Sequence, residues 1–549
     1  QVNLSESECP HCGNVNPEQI FNIIEAKVVD EYGNETEHRK ISPKEWNNFY
    51  NVIIGNHLSK EEDFNERPES SFALPSKFAQ FKVFLVRDVL SKIVNKQYML
   101  INFLEAPVLA FVLSLFIKYY PTVKGGGEVY SLRENLNFPQ YLFISVVVAL
   151  FLGLTVSAEE IIKDQKILKR EKYLHLSKGS YLFSKLGIMF FISLVQSLTF
   201  VLVGNSILEV KGMLLPFWMV LFSTSCFANV LGLNISATFN SAKVIYIIIP
   251  ILIIPQLLFS GVIVRFDRLF PAISSQNSVP LIGNVMTSRW AYEAMAVHQF
   301  RNNEFNKIFF ETDQTRKYCG WKKDYWVKEL NTKIVEAQRQ LESGGKAESF
   351  EYNLTIIRNE FEKEVIHNAA FKFPGVASLF EEKITLATLQ EAELKLQELE
   401  QFYIRAYNTA NGAREKQITA LTSTPELRDQ YLALQDDHYN ESLEDFVTNK
   451  NDLKKIVEYE DQLVQKQNLI YLTPVDVGLF GAHFYAPSKP LFGKQITTLS
   501  ANILVIWLMT ITLVAVLFVD GLKRTFTWIG FSAERLVEKI GLKKKVEID

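Results

Sequence analysis

The sequence predicts an all-α membrane protein, with six transmembrane helices and a large helical insertion between the fifth and the sixth. Three observations predict it. Apolar runs of spanning length crowd into residues 98–264, and one more occupies 498–520. Charge is segregated: 22% of all residues are charged, yet these runs hold almost none, while 1–75 and 300–470 are rich in Glu, Lys, Asn and Gln. Between the last two runs, apolar residues recur at helical spacing.

Size and charge narrow the class further. A chain of 549 residues suggests two to four units. Its 41 phenylalanines suit a lipid-facing protein better than a soluble core, and a net charge of −3 with no basic domain argues against a nucleic-acid partner. Residues 1–75 form a polar segment that opens on Gln1 with no signal-peptide pattern, as expected of a piece of a longer polypeptide or a trimmed chain. Cys9-Pro-His-Cys12-Gly has the form of one zinc-ribbon knuckle, two thiolates gripping one side of a tetrahedral Zn²⁺. No second pair follows. His11, His38, His57 or cysteines upstream of Gln1 would have to complete it, and a half-motif that binds nothing is the competing reading.

Residues 76–97 predict an amphipathic helix in the membrane interface, with Phe78, Phe81, Phe84, Leu85 and Val89 on one side and Lys77, Lys82, Arg87, Asp88 and Lys92 on the other. A spanning helix needs about 20 mainly apolar residues, because its backbone must satisfy its own hydrogen bonds in lipid. Tyr98–Ile117, Tyr141–Ser157, Leu182–Val203, Leu214–Leu233, Val244–Val264 and Leu499–Val519 meet that need. Six spans put both ends on one side. The loops agree: Lys77 to Lys96, then Lys163 to Lys178, then the tail 521–549 with Lys523, Arg524 and Lys543 to Lys545 carry the positive charge, so that side is cytoplasmic.

Residues 265–497 are then extracytoplasmic. They start with an apolar re-entrant or interfacial segment, Pro280–Val297, and continue as amphipathic helices. Trp326, Leu330, Ile334, Ala337 and Leu341 keep helical spacing, as do Phe350, Leu354, Ile357, Phe361 and Val365. Leu389, Ala392, Leu396, Leu399 and Tyr403 form a heptad seam of barely two repeats, which favours packing within the chain. Gly344-Gly345 and Pro374 punctuate the helices. One cysteine, Cys319, falls in this region, so no disulfide can form within it.

Several stretches carry a family likeness. Arg87 to Asn95-Lys96-Gln97 leads into the first span, and Ser157-Ala158-Glu159-Glu160 with Lys169-Arg170-Glu171 follows the second. Gly179-Ser180-Tyr181-Leu182-Phe183-Ser184-Lys185 opens the third, and Pro250 to Pro255-Gln256-Leu257-Leu258-Phe259-Ser260-Gly261 closes the fifth. Ser288-Arg289-Trp290-Ala291-Tyr292-Glu293-Ala294 comes next. In this order and topology they resemble the membrane domain of type-2 ABC exporters, and within them the White/subfamily-G branch. The likeness covers about residues 76–300 and 498–520; the insertion is far larger than that family's usual loop, and 1–75 have no counterpart.

The resemblance implies a permease for a hydrophobic or amphipathic substrate, driven by an ABC ATPase domain that holds ATP and Mg. No Gly-x-x-x-x-Gly-Lys-Ser/Thr occurs in this chain, so that domain is expected upstream in the same polypeptide or on a partner subunit. It also implies a second copy of the permease, membrane lipid around both, and a bacterial inner membrane. The charged loop 159–178 is its candidate coupling element, with Glu160, Arg170 and Glu171 docking on the ATPase; a solvated loop that only sets topology is the plainer reading. Spans two and five are expected to line the path through Leu150, Gly153, Leu154, Ile254 and Leu257, with Phe259 near its outer constriction; ordinary helix packing is the alternative for each. The size of the insertion keeps a second function in play, a mechanotransmission machine acting on an envelope partner. Neither a catalytic Ser/His/Asp or Cys/His set nor HExxH is present.

Glu105 lies inside the first span, where a charge costs about 2.5–3.5 kcal/mol on insertion scales. Gln196, Gln256 and the carbonyl groups freed by Pro107 are its expected polar company.

Overall fold

A computed structural model describes residues 17–31, 33, 35–55, 75–120, 130–171, 174, 176–344, 348–368, 371–380, 384–475 and 477–529. Cys9 and Cys12, and with them the expected zinc knuckle, lie outside these. The chain divides into Gln1–Leu74 and Pro75–Asp549. In the first unit, helix α1 (Pro17–Glu25), strands β1 (Lys27–Val29) and β2 (Glu35–Arg39) and helix α2 (Pro43–Tyr50) follow one another, and β1 and β2 pair antiparallel. Ser42 and Glu45 form a reciprocal capping box that starts α2.

In the second unit, helix α3 (Lys77–Val94) starts on the Ser76 hydroxyl, which accepts from the Ala79 N–H at 3.3 Å. Asn95 separates it from α4 (Lys96–Ile117), whose first turn it caps by accepting from the Tyr98 N–H at 3.0 Å. Helices α5 (Phe138–Ser157), α6 (Glu160–Glu171), α7 (Lys178–Ile207), α8 (Leu214–Thr238) and α9 (Ala242–Leu258) follow. With α18 (Thr498–Phe518), α4, α5, α7 and α8 make five helices long and apolar enough to cross a membrane among the described residues.

The fifth expected span is shorter than its apolar run. Helix α9 has 17 residues and ends at Leu258 rather than Val264. Pro250 and Pro255 remove two N–H donors from it, and Gly261 then takes a left-handed φ of 81°. That glycine has no substitute here, since a Cβ on it would meet the Phe266 ring at 2.4 Å.

The expected re-entrant segment forms α10 (Leu281–Val285) and α11 (Thr287–Asn302). Every residue from Thr287 to Val297 is buried, so α11 is an interior helix packed on α5, α8 and α18. Helices α12 (Asn306–Trp321), α13 (Val327–Glu342), α14 (Glu348–His367) and α15 (Leu386–Leu421) build the insertion, followed by α16 (Pro425–His438) and α17 (Glu441–Thr448). The heptad seam of α15 is buried within the chain: Leu389, Ala392, Leu396, Leu399 and Tyr403 join Trp326, Leu330, Ile334 and Phe361 in one core. Gly344, at φ 69°, follows the end of α13.

The expectation of an all-α chain is corrected by strands. Besides β1–β2, strands β3 (Ile456–Tyr459) and β4 (Gln462–Gln465) pair antiparallel, as do β5 (Ser488–Leu491) and β6 (Lys494–Thr497), before α18 (Thr498–Phe518). Both hairpins turn on two residues at positive φ, Glu460-Asp461 and Phe492-Gly493, the geometry that matches strand twist. Four-residue strands lie below the length at which alternation can be read.

Small residues set the closest helix contacts, as expected where lipid supplies no drive for association. A Cβ on Gly153 of α5 would meet the Ser225 carbonyl oxygen at 2.6 Å and Ala228 Cβ at 2.7 Å, both on α8. Gly187 of α7, by contrast, faces open space. Gly153→Val should therefore destabilise the protein by at least about 1–3 kcal/mol through overpacking, while Gly187→Val should leave the thermal midpoint of the solubilised protein within error.

Candidate functional site

One end of the bundle is closed by a buried ion cluster. Lys185, near the start of α7, is 3% exposed at its side chain and carries an ammonium that reaches three carboxylates. It donates to Asp88 of α3 at 2.7 Å and to Glu160 of α6 at 3.1 Å, and stands 2.9 Å from Asp164 of α6. Glu160 also accepts from Lys92 of α3 at 2.6 Å, and Asp164 accepts from the Tyr181 hydroxyl at 2.9 Å. At the far end of α6, Arg87 of α3 donates to Glu171 at 2.6 Å, in a more exposed pair.

The start of α6 has no cap of its own. Ser236 of α8 supplies one, its hydroxyl accepting from the Ile161 and Ile162 N–H groups at 3.0 and 3.1 Å. Helix α6 is thereby tied to α3, α7 and α8 at once. Its other side is basic: Lys163, Lys166, Lys169 and Arg170 are exposed, and Arg170 has no ion-pair partner among the described residues. Of the three expected coupling residues, Glu160 and Glu171 thus meet α3, and Arg170 does not.

The expected path residues fall into two groups. Leu150 and Leu154 are each 2% exposed and, with Gly153, lie in the packed core of α5 against its neighbours. Ile254 is 51% exposed on α9, while Leu257 and Phe259 are half-buried. The polar trio is not assembled either. Gln196 donates to the Asn102 carbonyl at 2.9 Å, and Gln256 accepts from the Ser288 N–H at 3.0 Å. Glu105 is half-buried, with no hydrogen-bond or ion-pair partner among the described residues.

A second buried cluster closes the other end. Glu293 of α11 accepts from Lys489 of β5 at 2.5 Å, from Asn502 of α18 at 2.8 Å and from the Tyr485 N–H at 3.1 Å. Arg289, one turn before it, stands 3.6 Å away and stacks 3.8 Å from the Trp290 ring. Arg289, Glu293 and Lys489 are all fully buried, two cations with one carboxylate. Burial first, and then the Arg289 cation, push the Lys489 ammonium down to about 7.

Sequence reasoning missed Asp88, Lys92, Asp164, Lys185 and Lys489 as site residues. Lys185 carried a legible signal, a lone cation at the start of a long apolar helix that must find carboxylates. Lys489 carried none, since its partner lies 196 residues away.

With this geometry in view, residues 79–300 match the family model of the ABC-2 type transporter. The match runs from α3 into α11 and leaves the insertion outside it. A search of curated proteins finds no match. The apolar helices and this domain together make the chain a multi-pass membrane protein.

Two outcomes are expected here. Lys185→Met removes the buried cation that three carboxylates share, leaving Asp88 and Asp164 without a cationic partner among the described residues, and should cost about 3–5 kcal/mol, as breaking a buried ion pair does, whereas Arg87→Met should cost under about 1 kcal/mol because that pair is partly solvated; unfolding midpoints of the two variants check the contrast. For Lys489, the unfolded chain binds a proton that the folded chain lacks at pH values between about 7 and the usual lysine range near 10.5. Stability should therefore rise with pH across that window, and Lys489→Met should flatten the slope relative to the parent protein.

Proposed function

We propose that this chain, with its ABC-2 type transporter membrane domain, is the permease of an ATP-driven exporter moving a hydrophobic or amphipathic substrate, and that two copies act with ABC ATPase domains holding ATP and Mg. The observation that carries the reading is the state of α6: anchored on one side by the Lys185 cluster and Ser236, and basic and exposed on the other, where Arg170 has no ion-pair partner among the described residues. A helix held that rigidly can pass a push from a docked ATPase into α3, α7 and α8 without deforming.

In this reading α9 is the fifth span. At 1.5 Å per residue it reaches about 25 Å, short of a full bilayer core of about 30 Å, and the segment 259–264 continues it. Six spans then put α6 on the cytoplasmic side and the insertion outside. The path between two copies follows the exposed apolar face of α9, with Ile247, Ile251, Ile254 and Leu258, rather than the α5 residues Leu150, Gly153 and Leu154, which are buried in the bundle core. Bacterial inner-membrane placement and zinc at Cys9 and Cys12 belong to the same proposal.

A second reading rests on the insertion. Helix α15 alone is 36 residues long, and a bundle of that size suits a machine that moves an outer partner instead of a solute.

Reconstitution of the chain with its ATPase in proteoliposomes tests both. Glu171→Ala should fold normally, because its partner Arg87 is partly solvated, yet should lower substrate-stimulated ATP hydrolysis several-fold. Ile254→Trp should cut transport of fluorescent lipid analogues about tenfold while basal hydrolysis persists. Undiminished transport by Ile254→Trp removes α9 from the path, and hydrolysis without any transport favours the mechanical reading.

A further inference from the structure

A cavity of about 570 Å³ lies where the chain leaving α9 meets the insertion. That volume is within the range of small-molecule sites, roughly 300–1,000 Å³. One wall comes from the segment after α9, with Arg265, Phe266 and Asp267; the other comes from α12, α17, β4 and the loop before β5. Phe446, Val464 and Phe484 give it an apolar lining, and Phe446 is 37% exposed, an aromatic ring left open to solvent. Five cationic side chains line it against three carboxylates.

Most of these charges are already matched. Arg265 is saturated, donating to Asp267 at 2.6 Å, to Asp452 at 2.6 Å and to Asn449 at 2.8 Å. Lys363 pairs with Glu360, and Lys322 with Glu364. Lys466 is different. Its residue is 6% exposed, and of its three donors one is used, on the Gln276 carbonyl at 2.7 Å. The nearest carboxylate, Asp267, stands off at 3.8 Å and is already held by Arg265. A buried ammonium with unused donors at a cavity wall whose carboxylates are already paired is costly unless something supplies acceptor oxygens. Burial pushes its pKa down, as the same shortage requires.

We propose that this cavity binds an amphipathic anion, its acidic group on Lys466 and its single apolar chain along Val464, Phe484 and Phe446. The volume suits one acyl chain rather than the two of a bilayer phospholipid. The site goes beyond the transport reading, and a protein that transports while this cavity binds nothing would refute the site alone.

The test uses the full chain in phosphatidylcholine nanodiscs, with a dansyl-labelled fatty acid as probe and empty nanodiscs as the blank. Saturable binding of one probe per chain is expected, displaced by palmitate and not by hexadecyltrimethylammonium. Lys466→Met should weaken binding at least tenfold, Lys466→Arg should retain it, and Val464→Trp, which fills the chamber, should abolish it. The arginine and tryptophan variants carry the test if Lys466→Met does not fold. Doping the discs with phosphatidic acid separates the sources: displacement by palmitate alone assigns a single-chain amphiphile, and displacement by phosphatidic acid also admits a bilayer lipid into the same anion site. Equal displacement by the cationic amphiphile, or unchanged affinity in Lys466→Met, overturns the proposal.

Discussion

Lys185 places one ammonium among three carboxylates drawn from two other helices, and the arrangement of that end of the bundle depends on it. A cation at the start of an apolar helix must be compensated where it stands, because moving it into lipid or leaving it bare costs several kcal/mol. Compensation requires α3 to lie along α7 and α6 to fold back beneath both. Once there, α6 cannot cap itself and borrows Ser236 from α8. One buried charge therefore fixes the relation of four helices, and it does so through contacts whose direction is as specific as their strength.

The opposite end obeys the same rule with a different solution. Arg289 and Lys489 share the single carboxylate of Glu293 in a fully buried place, so a second proton-bearing cation there is disfavoured, and burial with Arg289 pushes the Lys489 pKa down. Arg289 offsets part of this by stacking on Trp290, and its guanidinium nitrogens make no hydrogen bond among the described residues. The cluster pins β5 and α18 onto α11, which is how the end of a long insertion is returned to the membrane bundle. Between the two ends, small residues rather than charges bring helices together, as at Gly153 and at Gly232, where a Cβ would meet the Ser157 hydroxyl at 2.0 Å.

The insertion adds a core of its own, organised around Lys322. That ammonium is held by Glu364 at 2.5 Å and lies 3.7 Å from the Trp326 ring, with Tyr318 and Tyr403 nearby. Burial of so many aromatic rings around a paired cation gives α12, α14 and α15 a fixed register, which a seam of two heptads could not impose alone. The chamber next to it, lined by Lys466, arises because β4 and the segment after α9 approach this core without filling the gap.

Apolar runs, their lengths and the helical spacing of Trp326, Leu330 and Ile334 made the helices legible from residue order alone, because backbone satisfaction in lipid and amphipathic burial are local demands. Glu160 and Glu171 were legible as functional candidates through neighbouring motif residues, and their partners were not. The short hairpins escaped because four-residue strands leave no alternation to read, and the early stop of α9 because two prolines and a glycine act together. Leu150 and Leu154 read equally well as lining or as core, and only the packed bundle shows both of them buried. Periodicity specifies which face of an element is apolar. Which carboxylate answers Lys185 or which cation answers Glu293, across 196 residues of chain, is set by proximity that exists only after the helices have packed.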